Sequence, residues 1–213
     1  MSTALPRTIW DYWADRYEGL WAQHFSLQPS RELVHDRLSE VAADRGRLLD
    51  MGCGVGQFCA EVADRQPSWS VLGVDPSPGM IDRARRDYDR PDTEYRAGYL
   101  WDVPRGDGFD VITSMHAFPY MPDKYGALCR MRELLRPGGR VLLIGANTED
   151  FYDKGFLLFV KLTTTSAQYL SAADLHHMME RAGLRPGVVR PIEAPRFIPS
   201  IQLVEGILDG DPA

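Results

Sequence analysis

Cysteine is scarce in this chain of 213 residues: Cys53, Cys59 and Cys129 are the whole complement. An odd number, at spacings that match no zinc pattern, speaks against a disulfide framework or a structural zinc module and predicts reduced thiols in a cytoplasmic protein. Long apolar runs are missing too, since nothing approaches the roughly 18 uninterrupted apolar residues of a membrane span. The first residues, Met-Ser-Thr-Ala-Leu-Pro-Arg, have no apolar core, so no secretory signal is expected. No long run of Lys and Arg occurs and the formal net charge is −6, which argues against nucleic acid or an anionic membrane as the main partner. No internal repeat and no low-complexity tract occurs. What is present, 44% hydrophobic and 25% charged residues, is the composition of a soluble globular chain. Its length suits one domain of the usual roughly 100–200 residues with an elaborated edge.

Residues 8–25 place Trp10, Trp13, Tyr17, Leu20, Trp21 and His24 at three- and four-residue steps, the signature of one aromatic helix face. That face either packs on the domain or covers a ligand as a lid. A second helix is predicted from Ser30 to about Arg45, with Ser30 as N-cap and Leu33, Val34, Leu38 and Val41 as its buried stripe. From Arg47 onward strands and helices alternate. Strands are predicted at Arg47–Met51, Ser70–Val74 (ending at Asp75), Glu94–Ala97, Phe109–Ser114 and Arg140–Gly145. Helices are predicted at Gln57–Arg65, through Met80 to Tyr88 after Pro76-Ser77-Pro78, at Tyr125–Leu135 before Arg-Pro-Gly-Gly, and at Ser171–Ala182. Strands are also predicted near Val188–Pro191 and Ile198–Val204, where they would form a closing hairpin on one sheet edge. Such alternation implies a mostly parallel sheet covered on both faces.

The densest signal is Leu48-Leu-Asp-Met-Gly-Cys-Gly-Val-Gly-Gln-Phe58, a short apolar run ending at Asp50, then Gly52, Gly54 and Gly56, then a helix start. This strand, turn and helix is how an open α/β sheet holds a nucleotide-like ligand. The dinucleotide fingerprint G-x-G-x-x-G is not met, and the Gly-Lys-Ser/Thr of a P-loop is absent. Asp75 ends the second strand, nineteen residues past Gly56. A carboxylate there either accepts from both hydroxyls of a ribose or caps the helix after Pro76.

Four segments in order, Leu48-Leu-Asp-Met-Gly-Cys-Gly-Val-Gly, Val71-Leu-Gly-Val-Asp-Pro-Ser-Pro-Gly-Met-Ile, Gly108-Phe-Asp-Val-Ile-Thr-Ser and Leu134-Leu-Arg-Pro-Gly-Gly-Arg-Val-Leu-Leu, resemble the class I S-adenosylmethionine-dependent methyltransferases. The resemblance runs from about Tyr12 to Val204. It implies a Rossmann-like, doubly wound seven-stranded sheet, mostly parallel with an antiparallel last strand, plus N-terminal lid helices. One domain would span 1–213, with 1–45 as lid and 147–170 as an acceptor-pocket insertion. S-adenosylmethionine would be the cofactor. By the same likeness Gly52, Cys53 and Gly54 line its methionyl part, Asp50 supports the turn, Asp75 binds the ribose, and Pro76 and Met80 flank the adenine. Met115 is expected to border the cofactor, and Tyr17 to contact its carboxylate or serve as a lid residue. The third segment departs from the family's Gly-Asp-Ala, reading Gly98-Tyr99-Leu100-Trp101-Asp102. Either Tyr99 and the backbone of Leu100 and Trp101 recognise the adenine, with Trp101 as an apolar wall, or Asp102 reaches it through a longer loop. The first is the expectation.

Acceptor type is read from Ser114-Met-His-Ala-Phe-Pro-Tyr120. Enzymes of this family that methylate nucleobase or amide nitrogens often show Asn/Asp-Pro-Pro-Tyr here. Ala117 in the first position cannot accept a hydrogen bond from a target amino group. His116 stands where the strand opens, and an imidazole of pKa near 6.5 suits a general base for a hydroxyl acceptor; it could equally pack or bond to backbone. His24 is a second candidate, while His35, His176 and His177 are expected on solvated helix faces. Phe151, Tyr152, Phe156, Leu157, Leu158 and Phe159 suggest a flat apolar acceptor, or ordinary helix packing. No acidic cluster lies near 114–120, so no metal is expected. These readings converge on methyl transfer to oxygen or nitrogen of a small apolar or aromatic metabolite by a monomer or homodimer. Two alternatives stay open: an enzyme that uses the cofactor without transferring methyl, as in intramolecular cyclisation, and a cofactor-binding module that catalyses nothing.

Overall fold

The structure is a computed structural model and describes residues 26–41, 43–148, 153, 167–192 and 200–210. The aromatic face at 8–25, including Tyr17 and His24, lies outside the described residues, as do the aromatics at 151–159. Strand order is β3-β2-β1-β4-β5-β7-β6. The strands are β1 (Gly46–Met51), β2 (Trp69–Asp75), β3 (Thr93–Ala97), β4 (Phe109–Met115), β5 (Leu135–Ala146), β6 (Arg185–Pro191) and β7 (Ile201–Ile207). Strands β1 to β5 run parallel, and β7 pairs antiparallel with both β5 and β6. The expected closing hairpin is therefore present, docked through its second strand. Order reverses between β1 and β4, and at such a switch point the carboxyl ends of neighbouring strands open a crevice.

Successive side chains of a strand point to opposite faces, and here both faces are buried. Leu48 and Leu142 enter one core with Val34, Leu38, Phe58, Val62 and Ile81. Leu49 and Leu143 enter the other with Leu128, Met131, Leu175 and Met179. The first face is covered by α1 (Gln28–Val41), α2 (Gln57–Arg65) and α3 (Pro78–Asp87), the second by α4 (Lys124–Leu134) and α5 (Ala172–Arg181). No helix among the described residues is long and apolar enough to cross a membrane.

Several expectations need correction. Ser30 is not an N-cap: α1 begins at Gln28, and Ser30 is fully buried inside its first turn. Helix α1 stops at Val41, short of Arg45. Strand β5 already begins at Leu135, so Arg-Pro-Gly-Gly lies within it across a register shift against β4. Gly139 makes this possible, because a Cβ there would sit 2.8 Å from Arg136 O and 3.0 Å from Phe109 O. His35 is not solvated either. It is buried between α1 and α2, its Nε2 3.1 Å from Glu61 Oε2 and its ring 5.1 Å from that of Phe58. Helical spacing marks the apolar stripe but not a polar partner supplied by a second helix, so spacing alone misplaces this histidine.

Glu205 of β7, fully buried, accepts from Arg37 Nη2 (2.8 Å to Oε2), Arg140 Nη1 (2.9 Å) and Val188 N (3.1 Å). Burial alone would raise its pKa, but the Val188 amide and the two guanidiniums hold it below the usual glutamate value. This network ties the C-terminal half of α1 to the sheet edge.

Candidate active site

The turn after β1 uses its glycines for two separate reasons. Gly52, Gly54 and Gly56 have φ of 79°, 54° and 88°, the left-handed region that other residues enter at a cost. A side chain on Gly52 would also collide with the Ala117 methyl beyond β4. Gly52 N and Cys53 N both donate to Val74 O (2.7 and 3.2 Å), which pins the turn to the end of β2. Asp75 completes the joint: Oδ2 accepts from Gly54 N at 3.0 Å and Oδ1 from Ser77 N at 2.9 Å. Ser77 in turn caps α3 through Met80 N. Asp75 thus serves the backbone at the helix entry while also facing the crevice, and a carboxylate oxygen can accept more than one hydrogen bond, so the two roles are compatible.

A cavity of about 290 Å³ opens there. Gly52, Gly54 and Asp75 form one wall, Pro76 and Met80 another, Gly98, Tyr99, Leu100 and Trp101 a third. Met115, His116, Ala117 and Tyr120 close it from β4. The structure thereby gathers Gly52, Gly54, Asp75, Pro76, Met80, Tyr99, Leu100, Trp101, Met115 and His116 around one space.

Asp50 and Cys53 are not part of that lining. They border a smaller cavity of about 40 Å³ behind the turn, with Leu27, Arg31, Gln57 and Phe58, which shares Gly52 and Met115 with the first. The Cys53 side chain is turned back toward Gly73 and Cys59, so a Cβ on Gly73 would meet both sulfurs at 3.0 Å. Burial first, then Cys59 and the acidic neighbours, push its thiol pKa up, making it a poor nucleophile. Asp50 accepts from Thr113 Oγ1 at 2.7 Å, and burial raises its carboxyl to about 7. Asp102 stays out of the cavity, because its Oδ2 accepts from Tyr99 N at 2.8 Å and stabilises the 3₁₀ turn Leu100–Asp102. Trp101 lines the cavity while remaining 56% exposed, a wall at the mouth rather than a core residue.

His116 has φ 56°, uncommon for a residue with a side chain and frequent at functional sites. Its N–H donates to Ile144 O at 2.7 Å, and the left-handed step swings the chain from β4 into the turn Phe118–Tyr120. Its Nε2 lies 2.9 Å from Ser30 Oγ and 3.2 Å from Ser26 Oγ. Burial lowers the imidazole pKa to about 4, so the ring is neutral at pH 7. Lys124, buried behind the turn, donates to Pro119 O and Met121 O and holds it in place. Gln168 N donates to Pro119 O, tying the chain after 166 to this turn, and Thr148 N donates to Leu170 O, tying the chain before 149 to the chain after 166. Ser26, Ser30, Tyr120, Met121 and Ala127 join the site without having been expected there. Only Tyr120 carried a local signal, in its Pro-Tyr context. His176 sits 3.2 Å from Glu205 O and His177 is exposed, both away from the cavity. Among the described residues no group of three or more His, Cys, Asp or Glu gathers as metal ligands.

A glycine turn joined to a strand-end carboxylate, above an apolar cavity at a switch point, defines a nucleoside-binding α/β domain. The chain belongs to the methyltransferase domain family, whose model matches residues 22–187. It is 27% identical over 171 residues to the O-methyltransferase cnsE of Penicillium expansum, covering 75% of this chain and 62% of that protein, less than two thirds of its length. In fold it is similar to a chain from the complex between the Haloferax volcanii Trm112 methyltransferase activator and a methyltransferase (TM-score 0.80, 20% identity, 96% and 99% of the two chains covered). It is also similar to the 1,6-didemethyltoxoflavin N1-methyltransferase of Burkholderia thailandensis with 1,6-didemethyltoxoflavin and S-adenosylhomocysteine bound (TM-score 0.70, 17% identity, 93% and 84% covered). The residues fit the family's methyl donor: an apolar slot for a base, a carboxylate at the strand end for a diol, and two wall residues without side chains.

Proposed function

We propose that this chain transfers the methyl group of S-adenosylmethionine to an oxygen or nitrogen of a small apolar or aromatic acceptor. When bound, the donor supplies a methyl already activated by the sulfonium charge. The protein's tasks are then to orient the acceptor, exclude water and, for a hydroxyl, take a proton. In this reading Asp75 accepts from the ribose hydroxyls, Pro76, Met80, Tyr99, Leu100 and Trp101 enclose the adenine, and Gly52, Gly54 and Met115 border the methionyl part. His116 is the base, unprotonated across neutral pH. Residues 1–45 act as a lid and 147–170 build the acceptor pocket, a view supported by Ser26 touching His116 and by the ties from Gln168 and Thr148.

The observation that carries the reading is the end of β4: a neutral histidine beside Ala117, over an apolar cavity. Ala117 offers no acceptor for a nucleobase or peptide amino group, and the net charge of −6 opposes a polyanionic substrate. The test is release of S-adenosylhomocysteine with a panel of phenols, heteroaromatic amines and carboxylates. Methylthioadenosine as product would overturn the transferase reading, and cofactor binding without either product would favour a non-catalytic module.

A further inference from the structure

S-adenosylmethionine ends in a charged amino-acid head, yet among the described residues no Lys or Arg lines the cavity of about 290 Å³. The smaller cavity of about 40 Å³ adjoins it across Gly52 and Met115, the residues proposed to border the methionyl part. Arg31 of α1 lines this second space. A guanidinium stays charged across the working pH range and presents its donors in a planar fork that matches a carboxylate. Asp50 lines the same space, but its oxygens accept from Thr113 Oγ1 (2.7 Å) and Cys59 Sγ (3.8 Å). Burial raises its carboxyl to about 7, which weakens the negative charge it sets against an anion near neutral pH.

The guanidinium is held by a second helix. Arg31 Nε donates to Glu61 Oε1 at 3.0 Å, and Glu61 Oε2 lies 3.1 Å from His35 Nε2. Burial would raise the pKa of Glu61, but the His35 hydrogen bond and the Arg31 charge hold it below the usual glutamate value. An ionised carboxylate only accepts, so His35 Nε2 is the donor. The His35 ring leans on Phe58, itself part of the wall of the small cavity. An exposed ion pair would fix nothing firmly, but the side chains of Arg31 and His35 are only 13% and 4% exposed. Glu61 of α2 therefore sets where the head of Arg31 sits. Ser30, the preceding residue of α1, touches His116, so one turn of helix meets both the small cavity and the proposed base.

Resting on the reading of S-adenosylmethionine as the donor, we infer that Arg31 binds the carboxylate of its methionyl part, and that Glu61 and His35 are positioning residues that aim the guanidinium. The site then separates a nucleoside that carries the amino-acid head from one that lacks it. Asp75 and the apolar slot treat the two alike.

The test is calorimetric titration of the whole chain with S-adenosylhomocysteine and with 5′-methylthioadenosine, which keeps the nucleoside and sulfur but ends in a methyl group. Arg31→Met should weaken S-adenosylhomocysteine roughly 10–100-fold and leave methylthioadenosine within about 2-fold. Glu61→Gln should cost S-adenosylhomocysteine roughly 3–10-fold, again sparing methylthioadenosine. His35→Leu should act in the same direction, and His35→Gln, which keeps an N–H donor, should restore affinity. Unchanged S-adenosylhomocysteine affinity in Arg31→Met, or equal losses for the two ligands in a folded variant, overturns the carboxylate contact. Should Arg31→Met fail to fold, Arg31→Lys decides: it keeps the charge without the fork, and a selective loss supports the contact while none overturns it. Losses shared by both ligands in Glu61→Gln overturn the positioning role. Failure of the unsubstituted protein to bind either nucleoside would instead overturn the donor reading itself.

Discussion

The two halves of the cavity are built differently. On the cofactor side, the turn after β1 and the end of β2 are held by short backbone bonds: Gly52 N to Val74 O, Gly54 N to Asp75 Oδ2, Ser77 N to Asp75 Oδ1. Few side chains are involved, so residue types are tightly constrained at each position. On the acceptor side, His116 is set by serines 86 and 90 residues away, and the neighbouring turn is tied to the chain after 166. One half is a rigid motif, the other a junction of distant segments. A fold can keep the first while varying the second, which is how one donor serves many acceptors.

The largest expected effect breaks the acceptor half alone. His116→Ala should lower kcat by roughly 10²–10⁴ with cofactor affinity intact, and single-turnover rates beside cofactor titration check both parts. Next, Gly52→Ala should damage the cofactor half, since it combines left-handed strain with collision against Ala117. A loss above about 2 kcal/mol is expected, against about 1 kcal/mol for Gly138→Ala, which has only the strained φ and open space. Urea melts compare them, and equal losses would remove the Ala117 contact from the account. Asp75→Ala should weaken cofactor binding about 10-fold or more, because it removes the acceptor for two backbone amides and for the ribose. Unchanged affinity would contradict the ribose assignment.

Two pH effects sharpen the contrast. Asp50 is raised from 3.8 to about 7 by burial. Its favourable contribution is complete below about pH 4, where folded and unfolded chains both hold the proton, and is lost as pH rises toward 7, at about 1.4 kcal/mol for each pH step of one. Asp50→Asn should flatten that decline in melts between pH 4 and 8. His116 runs the opposite way. With its pKa lowered to about 4 by burial, the unfolded chain takes up a proton below pH 6.5 that the folded chain refuses, so stability falls as pH drops from 6.5 to 4. In kcat the smallest effect is expected: a flat profile from about pH 5 to 7, and a limb near 6.5 would show the imidazole to be solvated.

The order of strands and helices was legible because apolar periodicity and turn residues are local. Helix α2 matches its predicted bounds and Ser171 caps α5 as expected. The glycine turn, Asp75, Pro76 and Met80 were legible for the same reason, since the contacts that define them lie at the ends of two adjacent strands. The misreadings share one cause. Ser30 looks like a cap and His35 like a surface residue because the partners that bury them, His116 and Glu61, come from other elements. Cys53 sits in the right turn, but strand packing at Gly73 decides which way its side chain faces.

The sequence by itself determined the alternation of strands and helices, the left-handed glycine turn and a carboxylate at the end of β2, because each follows from backbone geometry within a few residues. Only the tertiary structure decided that Asp102 is occupied by its own turn, that Asp50 is buried enough to titrate near 7, and that His116 is neutral with one nitrogen held by Ser30. Those properties depend on what excludes water and supplies partners around a group, and that environment exists only once segments far apart in the chain have packed together.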